Sequence, residues 1–444
     1  MTILNESGAA DVLSPLHAVS DLSLLLRDAL IVVLGTRSEI HAAQSAPAAL
    51  SPAPAGFDPL DRRVLFLLLD PDEPPESGLV ASRLIEAAAG TRRTGAILLV
   101  TARSASLIGV DPTFETRLAG RRLDLPVISV PLDNRSSKRL STDLEDSTLA
   151  ALVEACPPRT SDALQVPSKR ITRRNIRRGG MLSGLARGDA GSSTRKPVVL
   201  LGSASGASGE ISAELERVGV LVEGEIPSSS GIAGDLPAFG EDVVVGVTDP
   251  HLSEAARMAA ERGATVVRTL MPIGVDGTAS FVQDVAAAVG IEVSEVVKAR
   301  SVWESLGHLR NGIRGRRIFF AGDTGLEIPI ARFLVDAGAV ILEVGAPRLD
   351  RRFLADEIQA LGSGVDVVES PDWRGQLHRA NETRPDIIVS SPGLHVPLVA
   401  EGHICVSSLD FRHAGIHGYE GARRILELLA GAFERAEALD SLDL

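Results

Sequence analysis

The chain has 444 residues, about two to three times the usual size of one hydrophobic core, which predicts two or three domains. With 44% hydrophobic and 23% charged residues it is neither disordered nor fibrous, and its two cysteines, Cys156 and Cys405, exclude a disulfide framework. The net charge of −13 disfavours nucleic acid or an anionic membrane surface as the main partner.

Short β-branched and leucine-rich runs alternate along the chain with stretches at helical spacing, the pattern of βαβ units whose parallel sheets are buried on both faces. The first group of predicted strands is Leu30–Leu34, Val64–Asp70, Ala96–Thr101 and Val127–Val130. The second group is Val198–Gly202, Val220–Glu223, Val243–Val247 and Thr265–Arg268. The third group is Ile318–Ala321, Val340–Val344, Val365–Glu369, Ile387–Ser390 and Ile404–Ser407.

The predicted fold class is therefore α/β, with three Rossmann-like modules built on parallel sheets. Residues 1–135 form the first module, 197–300 the second, and 301–444 the third, which a helix from about Tyr419 to Leu439 closes. Residues 136–196 are predicted to be a crossover helix followed by a basic, arginine-rich linker.

Nine basic residues and one acid, Asp189, lie between Lys169 and Lys196. A solvated linker is the preferred interpretation of this segment, and a surface for an acidic partner or RNA is the alternative. The chain has no apolar run long enough to span a membrane and no secretory signal at its start, so the predicted location is the cytoplasm.

Two strand-to-helix turns are candidates for ligand binding. Gly202-Ser-Ala-Ser-Gly-Ala-Ser-Gly209 places amides where a phosphate can bind, but it matches neither G-x-G-x-x-G nor a P-loop, so a plain turn is preferred. Asp323 and Glu327 stand at a predicted helix start, where carboxylates cap free amides. Capping is the preferred interpretation, and a ligand-binding role stays open because ligands of such sheets bind at the carboxyl ends of strands.

A possible metal site is formed by His413, His417 and Glu420, whose spacings of four and three would place them on one face of a helix. Gly415 and Gly418 interrupt the segment, so a loop leading into the last helix is preferred. The predicted metal content is none.

Several segments carry a family resemblance: Asp28–Arg37 with His41, Gln44 and Ser45; Glu145–Ala151; Pro272–Thr278; Leu326–Leu334; Arg384–Leu398; and His417–Glu420. Together they span nearly the whole chain. With the three-module order, they resemble the nitrogenase component 1-like superfamily, and more specifically the N-subunit family of light-independent protochlorophyllide reductase.

The resemblance implies a hetero-oligomeric reductase of tetrapyrroles in chlorophyll and bacteriochlorophyll biosynthesis. In that family a homologous B subunit completes a heterotetramer, and a separate, ferredoxin-type, ATP-hydrolysing iron protein supplies electrons for reducing a ring double bond. A 4Fe-4S cluster between the subunits is held by three cysteines of the N subunit and an aspartate of its partner. The resemblance also marks Arg37, His41, Gln44 and Ser45 as substrate or interface candidates.

The three cysteine positions of the family fall here at Ser14, Glu39 and Arg103, none of which is a thiolate. Cluster iron requires thiolate sulfur, and serine with an arginine cation cannot replace two such ligands. Cys156 and Cys405 lie in other parts of the chain. The expectation is that the family's cluster is absent or not bound in the family's way.

Two hypotheses of function follow. In the first, the chain is an N-type subunit of a protochlorophyllide reductase-like complex, degenerate at the cluster site, with its electron-transfer centre lost, altered or supplied by a partner. In the second, it is a cluster-free relative that acts as a pigment-binding, scaffold or assembly protein without redox activity.

Overall fold

The computed structural model of the chain describes residues 2–6, 8, 19, 22–23, 26, 28–45, 63–70, 72–73, 75–90, 94–123, 125–132, 142–159, 196–202, 208–228 and 235–440. Ser14 and most of the basic segment lie outside the described residues, as does the middle of the Gly202–Gly209 turn. The described strands form three parallel sheets, which confirms the predicted α/β class.

Within residues 2–159, four strands between residues 29 and 131 form the first sheet, and all its strand pairs are parallel, in the order β3-β2-β4-β5. The central strands β2 and β4 are buried along their whole length, as a sheet covered on both faces requires. The elements are β1 (Thr2–Asn5), β2 (Ala29–Gly35), α1 (Arg37–Ser45), β3 (Val64–Leu68), α2 (Leu79–Gly90), β4 (Ala96–Thr101), α3 (Arg103–Leu107), α4 (Pro112–Gly120), β5 (Val127–Pro131) and α5 (Thr142–Ala155).

Residues 196–313 repeat this arrangement in a second parallel sheet with the order β7-β6-β8-β9. The elements are β6 (Val198–Leu201), α6 (Ser208–Arg217), β7 (Val222–Ile226), β8 (Val244–Val247), α7 (Ser253–Glu261), β9 (Thr265–Val266), α8 (Gly274–Ala288), α9 (Val296–Ser305) and α10 (Gly307–Ile313). One apolar core joins the first two sheets, because residues such as Val33 and Val245 belong to the same buried cluster.

Residues 317–440 supply most of a third parallel sheet, and every strand predicted from the sequence has a counterpart in the structure. The elements are β10 (Arg317–Ala321), α11 (Glu327–Ala337), β11 (Val340–Ala346), α12 (Arg351–Ala360), β12 (Asp366–Glu369), α13 (Trp373–Thr383), β13 (Ile387–Ser390), α14 (Pro392–Ala400), β14 (Cys405–Ser407), α15 (Ser408–His413) and α16 (Gly418–Asp440).

The third sheet also contains the first strand of the chain, in the order β1-β12-β11-β10-β13-β14. The prediction that residues 1–135 belong to the first module is therefore wrong for β1. This strand pairs with β12, with Thr2 opposite Asp366 and Asn5 opposite Glu369. All four residues of β1 are exposed, so no burial pattern in the sequence indicates which sheet it joins. Backbone pairing and the ion pair of Glu6 with Arg379 hold it there.

Each sheet has a topological switch point, where neighbouring strands are followed by connections that run in opposite directions. These points lie at the carboxyl ends of β2 and β4, of β6 and β8, and of β10 and β13. Open α/β sheets bind their ligands in the crevices at such points. The functional site is therefore sought among the residues that follow these strands.

Candidate functional site

Ionisable side chains converge where the second and third sheets end and α5 packs beside them. We call this group the junction cluster; it consists of Glu145, Asp249, His251, Asp323, Arg412 and His417. Asp249 and His251 follow β8, Asp323 follows β10, and Glu145 comes from α5. The cluster therefore combines the switch points of two sheets with a helix that leads out of the first.

Glu145 is the centre of the first half of the junction cluster. One of its carboxylate oxygens accepts a hydrogen bond from Arg412 at 2.8 Å and lies 3.1 Å from His251 Nε2. Burial opposes ionisation of Glu145, but Arg412 and His251 outweigh it and lower the pKa of the carboxyl. The pKa of His251 is raised, because the contact with Glu145 outweighs burial of the ring.

The second half of the cluster is the buried pair of Asp249 and His417. His417 Nε2 donates to Asp249 Oδ1 at 3.0 Å, and Thr248 donates to the other oxygen at 2.6 Å. Burial alone would raise the pKa of Asp249, but His417 and the hydrogen bonds lower it to about 2. His417 is fixed in place by the backbone, since Gly418 N donates to the carbonyl of Pro272 at 2.8 Å.

Asp323 and Glu327 occupy the switch point of the third sheet in different ways. Glu327 Oε1 accepts from the amide of Thr324 at 2.7 Å and from its hydroxyl at 2.8 Å, the capping arrangement predicted for this turn. Asp323 accepts from the Ser408 hydroxyl at 3.0 Å. Burial raises the pKa of Asp323 and raises that of Glu327 to about 7, so these carboxyls hold protons that exposed ones would release.

The switch point of the first sheet uses the same capping device. Glu39 Oε2 accepts from the amide of Thr36 at 2.9 Å and from its hydroxyl at 2.8 Å, and Ser104 in α3, just after β4, donates to the same oxygen. A Cβ at Gly35 would lie 3.0 Å from Glu39, and one at Gly322 would lie 2.3 Å from Glu327. Both turns thus contain Thr-x-x-Glu after a glycine, directly in the first turn and after Asp323 in the second, with the carboxylate folded back over the glycine.

Matched substitutions at the two capping glutamates are expected to change the pH dependence of stability in opposite directions. The pKa of Glu327 is raised in the folded chain, so wild-type stability falls by roughly 3 kcal/mol as pH rises from about 4.5 through about 7. Glu327→Gln keeps the acceptor oxygen and removes this fall.

The pKa of Glu39 is lowered, because hydrogen bonds from Ser104 and Thr36 outweigh burial, so its stabilisation is present above pH 4.5 and lost at lower pH. Glu39→Gln is therefore destabilising at pH 7 and close to neutral in acid. Urea unfolding between pH 4 and 8 measures both variants, and pH profiles of the same sign would contradict the assignment.

Comparison with known proteins identifies the family. Residues 81–434 match the model of the nitrogenase component 1 type oxidoreductases. The chain belongs to this family. It is 32% identical to the light-independent protochlorophyllide reductase subunit N of Roseiflexus sp. strain RS-1, over 99% of this chain and 96% of that subunit. It is 30% identical to the subunit of the same name from Heliobacterium modesticaldum, over 98% and 97%.

Solved structures agree with this family at the level of the fold. A nitrogenase structure described as Cp1 at pH 6.5 superposes with a TM-score of 0.68 and 15% sequence identity, covering 97% of this chain and 93% of that one. The predicted nitrogenase component 1-like architecture is confirmed.

The cluster-ligand positions expected for this family lie partly within the described residues. Glu39 and Arg103 stand at the carboxyl ends of the adjacent strands β2 and β4, so the positions converge although the residues are not thiolates. Glu39 is engaged as a helix cap, and Arg103 is exposed. Ser14 lies outside the described residues.

The two cysteines do not compensate for the missing ligands. Burial raises the pKa of Cys156, at the end of α5, to about 12 and that of Cys405, in β14, to about 11, which disfavours the thiolate that iron requires. Within the described ranges, no group of three His, Cys, Asp or Glu side chains is placed to hold a metal ion. The residues present do not fit a 4Fe-4S cluster held in the family's way.

The other predicted site residues lie mostly on the surface. Arg37, His41 and Gln44 are exposed along α1, and the side chain of Ser45 is outside the described residues. His417 is buried against Asp249, whereas His413 and Glu420 are exposed, so the structure does not bring these three together as a metal site.

Sequence reasoning missed Asp249 and His251, the two members of the junction cluster that follow β8. The available signal was their place directly after a predicted strand, since the carboxyl end of that strand is a ligand-binding edge.

None of the helices in the described ranges combines the length and hydropathy needed to cross a bilayer.

Proposed function

We propose that this chain is the N-type subunit of a light-independent protochlorophyllide reductase-like complex and that it takes part in ring reduction of a tetrapyrrole. The observation that carries the proposal is its similarity of about 30% identity to named N subunits over nearly their full length. Similarity of that extent includes the interfaces between modules as well as their cores.

The packing of the motif segments supports an N-type architecture. Arg332, in the segment Leu326–Leu334, donates a hydrogen bond to the carbonyl of Ile273, in the segment Pro272–Thr278. Ile273 in turn forms β-bridges with His417 and Gly418. Three segments that resemble the N-subunit family thus meet at one place, beside the junction cluster.

The proposed partners follow from the same role. A B-type subunit would complete the reductase, and an ATP-dependent iron protein would supply electrons to it. Reduction of one ring double bond consumes two electrons and two protons. Because this chain's own side chains do not fit the family's cluster, an active complex would need an electron-transfer centre that is altered or supplied by a partner. Arg37, His41 and Gln44 offer an exposed polar face on α1 for a partner or the pigment. The complex would work in the cytoplasm.

A cluster-free scaffold, carrier or assembly protein is the second candidate function. The observation that favours it is the turn at the first switch point, where Glu39, at one family ligand position, accepts a hydrogen bond from Ser104, the residue after Arg103 at another. A turn closed in this way is stable without metal. In this role the chain would bind pigment or a partner subunit and transfer no electrons.

Anaerobic reconstitution tests the proposal. The chain is purified alone and with a B-type subunit and an iron protein, and then assayed for iron, sulfide and ATP-dependent reduction of protochlorophyllide. We expect no stoichiometric iron or sulfide on the isolated chain, and ring reduction only by the complete set. The subunit from Roseiflexus sp. strain RS-1, carried through the same steps, is the control for cluster retention.

The iron analysis and the reduction assay decide separate points. Stoichiometric iron and sulfide on the isolated chain would contradict the cluster-free candidate, because they would show that the chain binds a cluster by itself. A complex that retains pigment but reduces none, while the control complex is active, would favour the scaffold function.

A further inference from the structure

His251 is the member of the junction cluster that borders open space. Its side chain is only 8% exposed, yet it lines a cavity of about 20 Å³ where α5 meets the second and third modules. Thr142 comes to this cavity from the start of α5, Ser253 from the start of α7, and Gly325 and Arg348 from the third module. The volume accommodates about one water molecule.

The two nitrogens of His251 have different surroundings. Nε2 lies 3.1 Å from Glu145, and an ionised carboxylate can only accept, so Nε2 carries a proton and donates it. Nδ1 is buried and has no hydrogen-bond partner within the described part of the chain. A buried polar atom left without a partner costs folding free energy, so Nδ1 requires a partner in the cavity.

The backbone of the facing loop leaves room at this nitrogen. Gly325 has a φ of +79°, and a Cβ built on it would lie 4.0 Å from His251 Nδ1 and 3.5 Å from its Cβ. A glycine at this position allows a left-handed turn and keeps the nitrogen edge of the ring clear of side chains.

We propose that His251 is a proton-relay residue, which exchanges the proton at Nδ1 with a water molecule in this cavity while Glu145 fixes the ring as its positioning residue. The inference rests on the proposed function in one respect, because ring reduction is the reaction that consumes the protons. In the forward step the Nδ1–H bond breaks as an O–H bond forms on the water, and the hydronium so formed passes one proton onward to the reaction that consumes it. Histidine is left neutral, with its Nε2 proton still donated to Glu145, and is reprotonated at Nδ1 by solvent.

The charged groups around His251 set the pH at which it changes protonation. Among the described residues, negative charges face it from three elements and positive charges from two. They are Glu145 and Asp146 on α5, Asp249 after β8, Arg412 on α15, and Arg348 and Asp350 before α12. Burial and Arg412 lower the pKa of His251, while Glu145 and Asp249 raise it, and the net direction is upward. The imidazolium therefore persists to higher pH than in an ordinary histidine.

A histidine that serves only as a packed hydrogen-bond donor would have the same contact with Glu145. The substitution His251→Gln separates these roles, since the glutamine amide can still donate to Glu145 but offers no titrating nitrogen at the Nδ1 position. His378→Gln is the matched control, because His378 is 73% exposed and pairs only with Glu382 among the described residues.

The first measurement needs no activity. In the chain labelled with 15N-histidine, the His251 ring signal is the one that is lost in His251→Gln and kept in His378→Gln. For this ring we expect Nε2 to stay protonated while Nδ1 titrates with a midpoint above pH 6.5. Glu145→Gln should move this midpoint to lower pH. An Nδ1 shift that stays constant from pH 5 to pH 9 would overturn the relay.

The second measurement uses the assembled complex. His251→Gln should lower turnover by about 10²-fold and remove one ionisation from its pH profile, with pigment binding unchanged, as expected for loss of a proton-transfer group. A variant that loses thermal stability but keeps the wild-type pH profile would overturn the proposal. If the wild-type complex reduces no pigment, the proposed function fails, and the titration of Nδ1 still decides whether His251 exchanges protons.

Discussion

Replacing Arg332 by methionine is expected to lower the free energy of unfolding by about 3–5 kcal/mol, the usual cost of removing one member of a buried ion pair. Arg332 is 1% exposed, and its guanidinium donates to Glu357, whose side chain is fully buried. The substitution leaves a carboxylate without its counter-charge and also removes the hydrogen bond to the carbonyl of Ile273.

Urea unfolding of Arg332→Met, Glu357→Leu and the double variant measures this coupling. Because the penalty comes from an unpaired charge, the double variant should recover much of the stability lost by either single one. Arg83→Met is the control, since Arg83 and Glu86 form an exposed pair, for which about 0–1 kcal/mol is expected. If Arg332→Met loses no more free energy of unfolding than Arg83→Met, the buried pair of Arg332 and Glu357 does not stabilise the fold.

Gly274→Ala is the second substitution with a large expected effect, a loss of about 2–5 kcal/mol. Gly274 begins α8 with a φ of +76°, and a Cβ there would lie 2.4 Å from Cδ2 of the fully buried Phe333. A left-handed alanine costs about 1–2 kcal/mol, and crowding in a packed core adds about 1–3 kcal/mol.

Gly290→Ala isolates the steric part of this cost. Gly290 follows the C-cap of α8 with a φ of +77°, and a Cβ there would meet nothing within 4 Å. Since the backbone penalty is shared, Gly290→Ala should lose only about 1–2 kcal/mol. Thermal or urea unfolding of both variants tests the difference. Equal losses of unfolding free energy would mean that Phe333 moves aside for the added methyl group at little cost.

The contact between Gly274 and Phe333 explains why two segments of the family resemblance occur together. Phe333 belongs to the segment Leu326–Leu334, and Gly274 to the segment Pro272–Thr278. Arg332, which lies beside Phe333 in α11, donates a hydrogen bond to the carbonyl of Ile273, the residue before Gly274. These motif residues therefore pack the third module against α8, next to the junction cluster, and do not themselves form it.

Much of the candidate site depends on contacts that no local pattern contains. Glu145 is 106 residues from His251 and 267 residues from Arg412, and Asp249 is 168 residues from His417. The sequence places Asp323 and Glu327 at a helix start because strand and helix periodicities are local. The direction of their pKa shifts could not be predicted from the sequence, because it depends on burial by distant elements.

The α/β class, the strands of the three modules and the shortage of thiolates could all be predicted from the sequence. Periodicity is a property of neighbouring residues, and a count of two cysteines holds in any fold. Three features required the folded structure: β1 joins the third sheet, Glu39 is engaged as a cap, and His251 faces a cavity with Nδ1 unpaired among the described residues. These features arise where chain segments far apart in sequence are brought together, and burial and pairing are defined only there.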